Sequence, residues 1–528
     1  MLNQSNQIAK KAILLSFLSG FLSLGLEVIW IRLFGFFTGG LPQAFSITLA
    51  LFLLGIAIGS LIGKQVCQEG RKEGRKEGRK EGRKEGRKEG KGTIEYIGKI
   101  FLLSAVLDCL AISLFVFLSN KFAFGLFISS IFFCALLRGI VFPIVHHLGS
   151  ENKKTGASIS NVYFANVLGC TISPIFIGFY LLDIFTTQQT YLIIIAITLI
   201  TAFFCLQKAV VKVADFALLV IVVATAFVVP EKMITALAQK ENATLERIIE
   251  NKHGFIQVYT NENNDKLVLG GNAYDGMLNV DLNHSHNGIE RAYLIPVIAP
   301  KAKNILVIGL STGSWVRVLT TMPEIESITV VELNPGYPKL VTMYSEMQHL
   351  LADKRVHLIT DDGRRWLNKN PNSKFDFILM NTTFHWRSYS SNLLSQQFQT
   401  LAKEHLAEDG FIYFNTTSSY DAFYTSKSVF PYVYQYLNMS LASLKPIPEM
   451  TQQSITSTFA KLKWDGGEPV FNAQNLTQGV ERIYKNPLIP YDKIDFSSLG
   501  RNPEIIRDEN MITEYKYGLF SDESRKRF

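Results

Sequence analysis

The sequence predicts two dissimilar domains: an N-terminal bundle of about seven transmembrane helices, then an α/β domain with a mainly parallel sheet. Two observations support this division. Apolar stretches long enough to cross about 30 Å of hydrocarbon recur along residues 1–230. Beyond residue 300, short buried strands alternate with helical segments, which is typical of a parallel sheet. A chain of 528 residues also exceeds what one hydrophobic core usually organises.

The predicted spans follow from hydropathy and length. The first span is no cleavable signal peptide, because it is too long, contains Glu27 and Arg32, and lacks a small-residue cleavage site. Whether the last segment crosses the membrane is undecided, because its apolar part, 216–230, is short and could instead lie along the membrane interface. We place the spans at 12–37, 43–63, 98–118, 122–146, 158–181, 188–206 and 211–230.

Basic residues in short loops mark the cytoplasmic side of a membrane protein. One set of alternate connections holds nearly all of them, whereas the opposite connections contain only Lys121. The sequence therefore predicts a multi-pass protein of the plasma membrane (the inner membrane of a bacterium), with a cytoplasmic N-terminus and the lipid bilayer as a partner. Seven spans would place the C-terminal domain outside, which is unexpected for a nucleotide-binding domain, so its side stays open.

A charged repeat explains the basic balance of the chain. Residues 69–88 are five tandem copies of Glu-Gly-Arg-Lys, which supply +5 of the formal net charge of +8. Repeated glycine and dense charge cannot bury a core, so we predict a flexible loop over 64–97 and no binding of nucleic acid. The five cysteines are dispersed without Cys-x-x-Cys spacing, so no metal site is expected.

Four charged residues fall within or at the edges of the apolar spans: Glu27, Arg32, Asp108 and Arg138. A lone charge at mid-bilayer costs at least about 2.5–3.5 kcal/mol, so these side chains should pair with one another or face a wet cavity. The sequence leaves both interpretations open, paired structural charges and a polar cavity that handles substrate.

The C-terminal half begins with a small antiparallel β element over 240–285, because short alternating strands surround a polar turn there. A helix over 288–298 then opens a domain that we bound at 286–430, and a C-terminal extension follows over 431–528. The buried strands of this domain are predicted at 304–309, 327–332, 355–359, 375–380 and 410–415.

Polar elements follow the first two of these strands. The first strand runs into Gly309-Leu-Ser311-Thr-Gly313, where glycine and small residues let a ligand approach the backbone. The second strand ends in Glu332, about 20 residues later, where a carboxylate can accept hydrogen bonds from both ribose hydroxyls. The two elements together predict a nucleotide site at the carboxyl ends of the strands.

A third element supports the same site. The third strand leads into Asp361 and Asp362, with Trp366 nearby. A carboxylate here can receive an adenine amino group, although Asp361 could equally be the N-cap of a helix. Three such elements in this order indicate a Rossmann-like domain of the S-adenosylmethionine-binding type.

These motifs resemble spermidine synthase, a polyamine aminopropyltransferase. The first span, Ser19-Gly-Phe-Leu-Ser-Leu-Gly-Leu-Glu-Val-Ile-Trp-Ile-Arg, also resembles the membrane half of fused, membrane-bound spermidine synthase-like proteins. The resemblance covers most of the chain and fades after about residue 430. In the second half it rests on Gly254-Phe-Ile-Gln-Val, the 309–313 loop, Val-Glu332-Leu-Asn-Pro, Asp361-Asp362-Gly-Arg and Phe375-Asp-Phe-Ile-Leu.

The resemblance implies transfer of an aminopropyl group from decarboxylated S-adenosylmethionine to a small amine or a lipid, with no metal. S-adenosylmethionine itself is the alternative donor. Glu332 would bind the ribose of the donor and Asp362 its adenine. Gly309, Ser311 and Gly313 would lie beside its methionine-derived part. Whether the chain forms homo-oligomers is left open by the sequence.

The sequence departs from this family at its catalytic position. Spermidine synthases have an aspartate after the fourth strand, where this chain has Asn381, and asparagine cannot take a proton from the amine. The 309–313 loop likewise lacks the family's aspartate. His385, close by in sequence, is a candidate base near neutral pH.

Three interpretations of the chain therefore stay open. It is an aminopropyltransferase with a degenerate site, an S-adenosylmethionine-dependent methyltransferase, or a catalytically inactive membrane transport or scaffold protein that kept the fold. The candidates for contacting the acceptor precede or open the main sheet, and they are Tyr274, Asp275 and Tyr293.

Overall fold

The computed structural model describes residues 2–77, 85–117, 123–150, 156–240, 242–381 and 383–517. The chain divides into two compact units. Unit 1 comprises Met1–Thr38, Gln43–Gln239 and Glu250–Lys252, and unit 2 comprises Gly39–Pro42, Lys240–Ile249 and His253–Phe528. The predicted division near residue 230 is therefore close, but the β element predicted as a separate piece belongs almost entirely to unit 2.

Unit 1 is helical, and most of its helices are long and apolar. They are α1 (Leu2–Phe37), α2 (Pro42–Glu77), α3 (Glu85–Phe117), α4 (Ala123–Ser150), α5 (Gly156–Phe176), α6 (Leu182–Ile184), α7 (Thr187–Cys205), α8 (Ala209–Val228) and α9 (Lys232–Leu237), with a π-helical turn at Ile177–Leu181. Within the described residues, seven helices are long and apolar enough to cross a membrane. The last predicted span, 211–230, corresponds to one of these seven helices, α8, which is 20 residues long.

Part of the predicted flexible loop is helical. We predicted a loop over 64–97, but α2 continues through Glu77 and α3 begins at Glu85. The rest of the repeat, 78–84, lies outside the described residues.

Two of the charged residues in the spans form a buried ion pair. Arg138 Nη2 lies 2.5 Å from Asp108 Oδ2, and both side chains are buried. Arg32 Nε donates to Thr187 Oγ1 at 2.8 Å, and Glu27 is also buried. The pair between Arg138 and Asp108 favours the structural interpretation for these two residues, because each charge neutralises the other away from water.

Two sheets form unit 2. The first has the order β1-β2-β3-β4, and its pairs β2/β3 and β3/β4 are antiparallel, as predicted. Its strands are β1 (Ala243–Asn251), β2 (Gly254–Asn261), β3 (Lys266–Gly270) and β4 (Ala273–Met277).

The second sheet has the order β12-β10-β11-β9-β8-β5-β6-β7. Its strands β5 to β9 pair in parallel, whereas β10, β11 and β12 join by antiparallel pairs. The bounds are β5 (Asn304–Ile308), β6 (Ser327–Glu332), β7 (Val356–Thr360), β8 (Phe375–Met380), β9 (Leu406–Asn415), β10 (Tyr432–Tyr436), β11 (Met439–Ser443) and β12 (Ile489–Pro490). The five predicted parallel strands are therefore all present.

The boundary predicted at residue 430 is not observed. Strand β11 pairs with β9 from Met439 to Ser443, so the first part of the predicted extension completes the main sheet. The helices of unit 2 are α10 (Glu290–Ile298), α11 (Ser314–Leu319), α12 (Gly336–Val341), α13 (Ser345–Gln348), α14 (Gly363–Lys369), α15 (Ser391–Leu394), α16 (Gln396–Glu404), α17 (Tyr420–Val429), α18 (Gln452–Phe459), α19 (Leu476–Tyr484) and α20 (Ile512–Tyr515).

The main sheet is buried on both faces. In β5, Ile305 and Val307 belong to one hydrophobic cluster, while Leu306 and Ile308 belong to another. Alternate residues of a strand point to opposite faces, so the sheet separates two hydrophobic layers. A continuous apolar strand of this kind is typical of a parallel sheet covered on both sides. Packing on both faces therefore fixes the positions of the carboxyl ends of its strands.

Replacing Gly55 by alanine should destabilise the bundle. A Cβ atom at this position of α2 would lie 2.6 Å from Phe132 O and 2.8 Å from Ala135 Cβ of α4. Such overpacking typically costs about 1–3 kcal/mol. Thermal unfolding of the detergent-solubilised full chain should show a lower midpoint. Gly125→Ala is the matched control, because a Cβ there meets nothing within 4 Å. Equal midpoints for the two variants would contradict the predicted close packing.

Candidate active site

The loop after β5 needs glycine at two positions. Gly309 has φ +91° and Gly313 has φ +77°, in the region that favours glycine. A Cβ on Gly309 would also lie 3.0 Å from Asn381 O, at the end of β8. Ser311, between them, has φ +49°, which is uncommon for a residue with a side chain. Strained backbone of this kind clusters at ligand sites, so it supports the predicted site.

Glu332 joins this loop to the end of β6. Its Oε2 accepts a hydrogen bond from the Leu310 N–H at 2.7 Å, and its Oε1 accepts one from the Asn334 N–H at 2.8 Å. The side chain is buried, and burial raises its pKa to about 7. A carboxylate has about four acceptor sites, so it can still accept a hydrogen bond from a ligand. The arrangement is chemically suited to the two hydroxyls of a ribose.

Asp361 and Asp362 follow β7, and they differ in their partners. Asp362 is the N-cap of α14, because its Oδ1 accepts from the Arg365 N–H at 2.8 Å. Asp361 instead forms ion pairs with the side chains of Arg365 and Lys369. The capping alternative for Asp361 therefore applies to its neighbour. Neither residue lines the cavity described below.

The small β sheet contacts the loop after β5. Ser311 Oγ donates to the Asp275 carbonyl oxygen at 3.1 Å, and Ser314 Oγ donates to the Met277 carbonyl oxygen at 2.9 Å. Gly276 lies between these contacts, where a Cβ would approach Ser311 Oγ to 3.1 Å. Strand β4 thus forms one wall of the site, which explains why the small β element belongs to unit 2.

A cavity of about 150 Å³ opens between β4 and the carboxyl ends of β5, β8 and β9. Its positions at 417 and 418, like Ser311, have positive φ (Thr417 +49°, Ser418 +72°). The lining residues are Tyr274, Asp275, Gly276, Met277, Asn287, Arg291, Ser311, Thr312, Ser314, Trp315, Asn381, Thr383, Phe384, Asn415, Thr417, Ser418 and Asn438.

Asp275 carries the carboxylate of this cavity wall. Burial raises its pKa, while hydrogen bonds from Tyr337 and Ser311 and the charge of Arg387 act in the opposite direction. Burial likewise lowers the pKa of Arg387, whose Nη1 donates to Thr383 Oγ1 at 2.7 Å. Asp275 is therefore a carboxylate with a raised affinity for a proton, held in place by three neighbours.

The structure brings together only some of the predicted site residues. Tyr274, Asp275 and Asn381 line the cavity. His385 does not line it, and its Nδ1 lies 2.9 Å from Oγ1 of Thr417, which does. Tyr293 lies in the hydrophobic core, where its hydroxyl donates to the Val280 carbonyl oxygen at 2.9 Å. Tyr293 therefore does not line the cavity, although we predicted that it contacts the acceptor.

Arg291 and Asn438 are among the lining residues that were not predicted. Arg291 Nη1 donates to Asn438 Oδ1 at 3.1 Å, so the two form one polar patch of the wall. The sequence carried a signal for Arg291, because it is a basic residue inside the largely apolar helix α10. Among the described residues, no group of three or more His, Cys, Asp and Glu side chains is placed to hold a metal ion.

Comparison with known proteins finds similarity to one family over part of the chain. Residues 293–465 match the family described as the Spermine/spermidine synthase domain. Over 126 residues the chain is 32% identical to a polyamine aminopropyltransferase of Alkaliphilus oremlandii and 28% identical to one of Clostridium botulinum. Each of these alignments covers 24% of this chain and 44% of the relative. The chain thus spans less than half the length of these relatives.

Two solved structures are also similar to part of the chain. A spermidine synthase in complex with the transition state analogue AdoDATO has 16% sequence identity and a TM-score of 0.32, over 42% of this chain and 83% of that one. A spermidine synthase from Thermotoga maritima has 13% identity and a TM-score of 0.34, over 45% of this chain and 88% of that one.

Binding of a nucleoside should release protons near neutral pH. With a pKa of about 7, Glu332 is close to half protonated at pH 7 before a ligand is added. Ribose hydroxyls donate to the ionised form and lower this pKa, so binding should release up to about half a proton at pH 7 and less at pH 8.5. Affinity should accordingly fall as the pH drops through 7.

The proton release can be measured by titration calorimetry of methylthioadenosine into the full chain, in buffers of different ionisation enthalpy. Glu332→Gln is the control, because it keeps the shape of the side chain and does not titrate. An equal release from this variant would assign the proton to another group and contradict the prediction.

Proposed function

We propose that the chain is a membrane-bound group transferase that moves an aminopropyl group from decarboxylated S-adenosylmethionine to an amine acceptor. The observation that carries the proposal is the buried Glu332, held by the N–H groups of Leu310 and Asn334 beside the 309–313 loop. The match of residues 293–465 to the Spermine/spermidine synthase domain supports the same reaction class. The seven long apolar helices support attachment to a membrane.

In the proposed reaction, the nitrogen of a neutral amine attacks the carbon next to the sulfonium of the donor. The new C–N bond forms as the C–S bond breaks, methylthioadenosine leaves, and the amine loses one proton. Glu332 would hold the ribose of the donor, with Asp362 beyond it near the adenine. Such a reaction depends mainly on alignment of the two reactants, which a rigid set of strand ends favours.

The position after β8, where the family has an aspartate, does not provide a group that can take the proton of the amine. Asn381 can orient the amine by accepting a hydrogen bond, but it cannot take the proton. Asp275 is the group that we assign to proton acceptance, because it lines the cavity and burial raises its pKa. His385 remains the second candidate base, reached through the hydroxyl of Thr417.

One observation favours a second candidate function. Asn381 and Thr312 are neutral lining residues of the cavity, although the family has an aspartate both after the fourth strand and in the loop. A domain that binds a nucleoside without turnover, within a membrane transport or scaffold protein, would need neither aspartate. The next two experiments separate this possibility from catalysis.

The full chain should bind methylthioadenosine and at least one of its parent donors. Glu332→Ala should weaken this binding roughly tenfold or more, because it removes a charged acceptor of the ribose hydroxyls. Calorimetry on the detergent-solubilised chain measures the loss. Glu326→Ala is the matched control, since Glu326 is exposed and contacts only Lys303 among the ion pairs of the described residues. No binding of any of these nucleosides by the folded chain would overturn the proposed function.

Restoring the missing carboxylate should accelerate the reaction. Asn381→Asp should raise the rate of methylthioadenosine formation about tenfold or more, because a carboxylate can take the proton of the amine. The rate is measured with decarboxylated S-adenosylmethionine and either putrescine or γ-aminobutyrate as the amine. Asn381→Ala controls for altered shape. If Asn381→Asp is no faster than Asn381→Ala, the non-catalytic candidate is favoured.

A further inference from the structure

The order of the strands places the cavity on one side of the predicted nucleoside position. Glu332 ends β6 and Asp362 follows β7, on one side of β5, and neither lines the cavity, while β8, β9 and β11 lie on the other side. Asn415 ends β9 and Asn438 precedes β11, and both line the cavity. A nucleoside held by Glu332 therefore leaves the region near Asn415 and Asn438 to the part of the substrates that is farthest from the ribose.

A guanidinium group dominates this far side. Arg291 donates from Nε to the Gly288 carbonyl oxygen at 2.9 Å, from Nη1 to Asn438 Oδ1 at 3.1 Å and from Nη2 to the Asn287 carbonyl oxygen at 2.7 Å. Its Cζ lies 5.3 Å from the centre of the Trp315 ring. The side chain is thus fixed from several directions while it lines the cavity.

The positive charge of Arg291 has no acidic partner of its own. All three acceptors are neutral, and in the part of the chain that the structure describes no carboxylate forms an ion pair with it. Glu290, its neighbour in sequence, hydrogen-bonds to Ser285 instead. A guanidinium has five N–H donors, so two of them remain after these three hydrogen bonds. Burial lowers the pKa of Arg291, although the charges of nearby groups, Glu290 among them, act in the opposite direction.

The remaining charges of the cavity wall do not offset this guanidinium. Asp275 provides the one carboxylate among the described lining residues, and the guanidinium of Arg387 already acts on it. The other polar lining residues, such as Asn381, Asn415 and Thr312, are neutral. A polyamine acceptor, which carries two or more positive charges, would therefore meet net repulsion on this side of the cavity.

We propose that the subsite formed by Arg291, Asn438 and Asn415 binds an anionic group, so that the acceptor is an amine that also carries a carboxylate or a phosphate. This inference rests on the proposed function, because it assigns the substrate class of the same site. The free N–H donors of the guanidinium match the paired oxygens of either anion. The amine end of such an acceptor would then face Asn381 and Asp275, where the transfer takes place.

Two sources supply this chemistry, a free amino acid and the phosphate next to an amine in a lipid headgroup. Three probes of similar size distinguish them on the full detergent-solubilised chain: γ-aminobutyrate carries a carboxylate, phosphoethanolamine carries a phosphate, and putrescine carries a second ammonium. Their affinities are measured by calorimetry with and without saturating methylthioadenosine. We expect at least one anionic probe to bind roughly tenfold or more tightly than putrescine, and the tighter of the two identifies the source.

Variants of Arg291 test whether its charge is responsible. Arg291→Gln should remove the preference for the anionic probe and leave the affinity for methylthioadenosine unchanged. Arg291→Lys should keep the preference, weakened, because it keeps the charge and loses the planar donor geometry. Arg355→Gln is the control, because Arg355 pairs with Asp353 and does not line the cavity.

Each result has a defined meaning. Putrescine binding as tightly as both anionic probes, no binding of either anionic probe, or the same preference in Arg291→Gln and Arg355→Gln would overturn the inference. If these results occur while methylthioadenosine still binds, only the acceptor assignment fails. If methylthioadenosine also fails to bind, the proposed function fails with it.

Discussion

The buried carboxylate of Glu332 is the interaction on which the candidate site depends. It accepts the N–H groups of Leu310 and Asn334, and so it ties the loop after β5 to the end of β6. The loop needs this support at Ser311, because its positive φ angle is uncommon for a residue with a side chain. Backbone N–H groups, including those of Leu310 and Asn334, donate to the carboxylate, but the effect of burial is larger and raises its pKa to about 7.

Much of this arrangement could be predicted from the sequence, because it is local. Buried strands of a parallel sheet are continuous apolar runs, and the residues that follow them meet at one edge. Ser311, Glu332 and Asn381 could therefore be assigned to one region from the order of the strands alone. Their partners could not, because the contact between Ser311 and Asp275 joins residues from different sheets.

The residues that sequence reasoning placed wrongly or overlooked have physical explanations. Arg291 and Tyr293 are two positions apart on α10, and residues at this spacing point to different sides of a helix. Since Arg291 lines the cavity, Tyr293 faces the core. Asn438 was overlooked because its position depends on the antiparallel pairing of β11 with β9, a contact made by a chain segment that the sequence predicts as a separate extension.

The altered residues of the cavity form a consistent electrostatic pattern. In the proposed reaction the sulfonium donor is itself positive, and the resemblance to spermidine synthase implies aspartates at two places where this chain has Asn381 and the neutral 309–313 loop. Arg291 adds a further positive charge to the same cavity. A polycationic acceptor would add to these positive charges in a partly buried space, where charges interact more strongly than in water and where Asp275 provides the one carboxylate among the described lining residues. An acceptor that brings its own negative charge removes this conflict, so the loss of the aspartates and the presence of Arg291 have one common explanation.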